Sequence, residues 1–178
     1  MKDLKQFNIP FIGLKIGSHL FEYQIDKSFF EYFNFDEYFD ANVHIQLTLN
    51  RKSTMLQFTF EAKGTVNVIC DVSGEPFDQT IEASLPLIVK FGEEYNDDNE
   101  EILILPHSEF QINVAQYIYE LIVLNVPLKR VHPQVLDGTM QSEAVKKLEK
   151  LKVTEEKTTE DVDPRWDKLK SLITEKKT

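Results

Sequence analysis

The side chains of this sequence with the widest chemistry are one cysteine, four histidines and a run of carboxylates. Cys70 is the only thiol of the chain. A lone thiol cannot form an internal disulfide or a structural zinc site that needs two thiolates. It follows Val66 and Val68 at strand spacing, which predicts a small buried hydrophobe. Its neighbour Asp71 favours the neutral thiol and so argues against a reactive one. His19, His44, His107 and His132 lie in separate segments, and no His-Glu-x-x-His, phosphate-binding glycine loop, nucleophile elbow or dinucleotide fingerprint accompanies them. No catalytic residue, metal or cofactor is expected on these grounds, and no small-molecule substrate.

The carboxylates are concentrated. Residues 92–101 read GEEYNDDNEE, with Glu93, Glu94, Asp97, Asp98, Glu100 and Glu101 and no cation. The spacing lacks the Asp-x-Asp-x-Asp-Gly order that wraps calcium. The stretch is expected to be a solvated loop. Two other readings are a Ca2+ or Mg2+ site and a docking site for a basic protein segment, where charge pairing would mainly raise the association rate. Opposite charge gathers at Lys129, Arg130 and His132, which either touch one or two phosphates or complement the end of a helix.

The charge balance places these groups in context. Residues 1–136 carry 10 Lys and Arg against 20 Asp and Glu, whereas residues 137–178 carry 10 of each. The body therefore holds the whole net charge of −10. Such a field attracts basic partners and repels phosphate backbones, so a broad RNA-binding face is not expected. The longest apolar-rich run, Tyr117 to Leu128, is too short to cross a bilayer. With no leader at Met1, the expected location is the cytoplasm, away from membranes.

The elements that must position these residues follow from periodicity. The Ile9–Asp26 stretch predicts one or two strands. The aromatic run Phe29, Phe30, Tyr32, Phe33, Phe35, Tyr38, Phe39 is accompanied by one cation, Lys27, which favours packing over stacking on bases. Alternating apolar residues then mark strands at Val43–Leu49, Leu56–Ala62, Val66–Cys70 and Phe77–Leu85. Polar or glycine turns are expected at Arg51–Thr54, Gly64 and Ser73–Pro76. Pro86 is expected to break the strand or mark a sheet edge before Leu87–Phe91. Ile102–Leu105 reads as an edge strand. Helical spacing sets in at about 113–124, with Val114, Ile118, Leu121 and Ile122 on one stripe. Ser142–Leu151 reads as a short helix. Lys152–Asp161 is polar, and Asp163-Pro164 opens a last helix with Trp166 on its apolar side. That helix either folds back on the body or docks on a partner with Trp166 as anchor.

The predicted architecture is α+β: an antiparallel, curved or partly closed sheet, a packed helix at about 113–124, and a helical C-terminal tail. The domain is expected at 1–136 and the charged tail at 137–178.

In sequence, GTVNVICDVSGEPFDQTIE, LIVKFGEEY and the acidic stretch leading into EILILP resemble the YceD-like family of large ribosomal RNA subunit accumulation proteins. IPFIGLKIGSHLFEYQID, IYELIVLNVPLKRVHP and DPRWDKLKSL are similar to its Bacteroidetes versions. The resemblance implies a non-enzymatic cytoplasmic factor needed for normal levels of large-subunit ribosomal RNA. It would act in ribosomal RNA processing or ribosome assembly, with a ribosomal protein or assembly factor as partner and possible local contact with RNA. Many family members carry Cys-x-x-Cys; here Ser73 stands in the second thiol's place, which argues against a metal or redox role. Two rival readings are a metal-dependent nuclease working through the acidic stretch and a plain RNA-binding module.

Overall fold

The computed structural model describes residues 4–99 and 101–151. Glu100 and the tail from Lys152, with Trp166 and its predicted helix, lie outside the described residues.

A 3-10 turn at Leu4–Phe7 leads into β1 (Asn8–Pro10), β2 (Gly17–Asp26) and α1 (Lys27–Tyr32). Then come β3 (Asp40–Arg51), β4 (Met55–Ile69), β5 (Pro76–Gly92), β6 (Asn96–Asn99), β7 (Ile102–Pro106) and β8 (Gln111–Asn113). The helices α2 (Ala115–Leu124), α3 (Pro133–Leu136) and α4 (Glu143–Leu151) follow. The main sheet has six strands in the order β2-β3-β4-β5-β7-β6, and β1 pairs with β8 in a separate ribbon.

The α+β class and the packed helix agree with expectation. Two details of the sheet differ. It is mixed rather than purely antiparallel, because β7 runs parallel to β5, and it is open rather than partly closed, with β2 and β6 at its two ends. The Ile102–Leu105 run, expected at the edge, is β7 and lies between β5 and β6.

The strands are also longer than local turn signals suggest. Gly64 was expected to turn the chain, yet β4 passes straight through it, paired with Val43 on one side and Ile81 on the other. A Cβ on Gly64 would lie 2.2 Å from the Asn42 carbonyl oxygen, and φ is +157°. Glycine is required here for close backbone approach inside a strand, not for reversal. Pro86 likewise does not break β5, where it pairs with Thr59. Beyond β5, β7 begins its pairing only at Ile88. Pro86, which has no N–H to donate, thus sits where the far side of β5 has no strand neighbour.

Alternation buries one face. Val43, Ile45, Leu47 and Leu49 of β3 and Phe58, Phe60, Ala62 and Val66 of β4 are fully covered, while Thr48, Gln57 and Glu61 project from the other side at half or full exposure. α2 crosses the buried face over β4 and β5, placing Ile118 and Ile122 in the core. Most of the aromatic run packs, as expected: Phe30 is buried, Phe30 and Tyr38 meet edge to face at 4.9 Å, and Phe33 stacks on Tyr119 of α2 at 4.4 Å, whereas Tyr32 and Phe39 are exposed instead.

Candidate functional site

The sequence offered three groups for a site: Cys70, the acidic stretch and the basic knot. Tertiary structure joins the first to the third and places the second elsewhere.

The β4–β5 connection is a tight turn in which Gly74 N–H donates to the Cys70 carbonyl and Cys70 N–H to that of Glu75. Against it lies the 130–132 segment. Asp71 N–H donates to the Arg130 carbonyl at 2.8 Å, and Arg130 N–H donates to Asp71 Oδ2 at 2.7 Å. The Arg130 guanidinium reaches Glu37 at 3.3 Å. His132 N–H and Ser73 N–H both point at Cys70 Sγ, at 3.3 and 3.4 Å. The His132 ring packs on Phe77, and its Nδ1 accepts from Gln134 N–H at the start of α3.

Arg130 and His132 therefore hold the turn, while Lys129 projects into solvent. The three do not converge on one anion site. Cys70 is buried, as its phase predicted. The expectation that Asp71 keeps its thiol neutral is corrected: burial opposes ionisation, but the amide and Ser73 donors outweigh it and bring the Cys70 pKa down to about 7. The Asp71 carboxylate is instead occupied with Arg130.

The acidic stretch is not simply a loop. Asn96–Asn99 forms β6, an antiparallel partner of β7. Side chains of the stretch bond locally: Asn99 Oδ1 accepts from the N–H groups of Glu101 and Ile102, and Asp97 Oδ2 accepts from Tyr95 Oη at 2.9 Å. These turns and the β7 ladder impose an extended chain that composition alone opposed. Glu93, Glu94, Asp97, Asp98 and Glu101 are all exposed, and a charged edge strand resists pairing with other chains. Among the described residues no group of three or more His, Cys, Asp or Glu gathers to hold a metal ion.

A concave feature that the sequence did not point to lies beside this edge. A groove of about 710 Å³ runs between α2 and the β5-β7-β6 end of the sheet. Leu85, Leu87, Leu103 and Leu105 of the sheet form its apolar floor, with Leu121 of α2 beside them. Asp97, Glu109 and Glu120 stand among its lining residues, which among the described residues include no Lys or Arg. Burial first, then the nearby Tyr95, Asp97 and Glu120, push the Tyr117 phenol up to about 12. A signal for the groove was present in α2. Tyr117, Leu121 and Leu124 form a second apolar stripe beside the one that faces the sheet, so the helix is apolar over a wider arc than one contact needs.

The fold and this groove define an α+β domain of mixed open sheet with an acid-rimmed, apolar cleft. The chain belongs to the family described as large ribosomal RNA subunit accumulation protein YceD, whose model matches residues 58–173. The match begins in β4 and runs through the 136/137 junction into the tail. It leaves β1 to β3 outside, so the likeness drawn from IPFIGLKIGSHLFEYQID falls beyond it. No curated protein and no solved structure matches the chain. The family description points to a role in the accumulation of large-subunit ribosomal RNA. No described helix is long and apolar enough to cross a membrane.

Proposed function

We propose that this protein is a non-catalytic cytoplasmic factor of ribosome biogenesis. It supports processing or accumulation of large-subunit ribosomal RNA by holding a basic ribosomal protein or assembly factor. The observation that carries this reading is the net charge of −10 confined to residues 1–136, with Glu93, Glu94, Asp97, Asp98 and Glu101 exposed at one end of the sheet. Ribosomal RNA would repel that body at long range, whereas a basic protein bound for the same RNA would be drawn to it. The family description supports the ribosomal side of the reading. Direct contact with RNA would be confined to a local patch around exposed Lys129.

Capture on immobilised full-length protein from lysate at low salt tests the reading. Large-subunit ribosomal proteins or assembly factors are expected to be retained and released as salt rises past the screening range. Retention of neither class overturns it. So does cleavage of ribosomal RNA precursor by the pure protein with Mg2+ or Mn2+, if Asp97→Ala abolishes it.

A further inference from the structure

The wall of the groove along α2 is elongated. Gln116, Tyr117, Glu120, Leu121, Leu124 and Asn125 line it, a span of nearly three turns and roughly 14 Å of helix axis. Large apolar groups stand uncovered on its margin: Leu124 is 79% exposed and Tyr95 56%. Apolar surface left open next to a concave apolar floor marks a binding surface. Several of the polar side chains around it bond to neighbours on the same wall. Gln116 donates to Glu120, Tyr95 to Asp97, and Asn125 to the Leu121 carbonyl. The groove thus pairs a run of leucines with carboxylates, a lining suited to an amphipathic ligand.

We propose that this groove seats a basic amphipathic helical segment of a partner protein, its apolar side on the leucine floor and its Lys or Arg residues against Asp97, Glu109 and Glu120. Charge complementarity selects this occupant. Among the described residues the lining holds three carboxylates and no cation, which disfavours a nucleic acid. A second copy of this chain would bring a body of the same negative sign. Residues 152–178 carry 7 Lys and Arg against 7 Asp and Glu, so the chain's own tail lacks the net positive charge the rim attracts. A helix laid in a groove uses apolar anchors at successive turns, which matches the run of Tyr117, Leu121 and Leu124 along this wall. The proposal rests on the reading of a basic protein partner and deepens it by giving that partner a seat.

The test is fluorescence anisotropy of a labelled synthetic peptide, leucine on one helical face and lysine on the other, titrated with the full chain. Two control peptides replace the leucines by serine or the lysines by glutamate. Only the first peptide is expected to bind well. The double variant Asp97→Lys, Glu120→Lys is expected to weaken it by at least about tenfold, while Glu22→Lys, Glu61→Lys, which changes net charge equally at two exposed sheet positions, weakens it by less than about threefold. Circular dichroism checks that both variants fold.

Equal loss in both variants, or equal binding of the serine peptide, reduces the effect to diffuse charge and overturns the groove. Trp166 is the only tryptophan. A saturating red shift of its emission on adding the peptide would assign the groove to the chain's own tail and also overturn the proposal, as would a labelled RNA oligonucleotide lost with the same two groove substitutions. The two levels fail separately. A groove variant that still captures the same ribosomal proteins from lysate defeats the seat and keeps the partner. A wild-type chain that captures none defeats the partner reading whatever the peptide does.

Discussion

Asp71 and Arg130, 59 residues apart, exchange two hydrogen bonds: the amide of Asp71 gives to the Arg130 carbonyl, and the amide of Arg130 gives to the Asp71 side-chain carboxylate. This pairing fixes the segment after α2 to the β4–β5 turn. Asp71→Ala removes the acceptor of the Arg130 amide and the nearer partner of its backbone. It is expected to destabilise the fold by about 1–2 kcal/mol, and Asp71→Asn, which keeps an acceptor oxygen, by less. Lys129→Ala, at an exposed position, is expected to shift stability by less than about 0.5 kcal/mol. Urea denaturation compares the three; equal effects of Asp71→Ala and Lys129→Ala would remove the pairing from the account.

Gly64 supplies the sharpest backbone test. An added methyl group would collide with the Asn42 carbonyl in the neighbouring strand. Gly64→Ala is therefore expected to cost about 3 kcal/mol or to prevent folding. Gly13→Ala has open space and no unusual φ and is expected to fold normally. A Gly64→Ala protein with wild-type denaturation midpoint would show that the strand shifts to admit the side chain.

The Cys70 thiol gives a pH signature. Its pKa is about 7 in the fold against an ordinary value of 9.0. Below the lower value both states keep the proton and this linkage adds nothing. Between the two values the native state releases its proton first, so stability from this group rises with pH and is complete above the higher one. The stability difference between wild type and Cys70→Ala is expected to grow from pH 6.5 to about pH 9. A difference that shrinks over that range would mean that burial, not the amide donors, governs the thiol.

Removal of Cys70 tests its role as well as its pKa. The variant Cys70→Ala is expected to lose some stability through the missing sulfur contacts and to retain its effect on ribosomal RNA levels. A well-folded Cys70→Ala chain that fails to support accumulation would return chemistry to this position.

Three tyrosines give the opposite sign. Burial is the leading cause that raises Tyr23, Tyr38 and Tyr117 to about 12 from 10.0. The fold favours their neutral phenols, a contribution fully present below the unfolded value and lost as pH climbs through the native one. Absorbance at 295 nm should show these groups ionising only as the fold loosens above pH ~10. Their titration with an intact far-ultraviolet spectrum and no delay would contradict the packing around them.

Much of the fold was legible because period-2 patterning survives wherever one sheet face is dry. Val43 to Leu49 and Leu56 to Ala62 showed it plainly, and the Val114-Ile118-Leu121-Ile122 stripe announced α2. Sequence misread Gly64 because local punctuation does not reveal what lies across the ladder, here a strand approaching too closely for any Cβ. Of the two readings of Pro86, the break fails and the edge position holds, since the far side of β5 has no strand neighbour there. The Ile102–Pro106 run was visible as a strand, yet its parallel place between β5 and β6 depends on pairing that a short apolar run cannot encode.

The sequence by itself determined the alternating dry face, the aromatic packing, the burial of Cys70 and the −10 charge of the body, because these depend on residue type and spacing along one chain. Only the tertiary structure decided that Arg130 and His132 clasp the Cys70 turn, and that Tyr95, Asp97, Glu109 and Glu120 meet around one apolar groove. They come from separate segments of the chain, and closing the chain over β5 and β7 is what brings their charges and apolar surfaces into the same space.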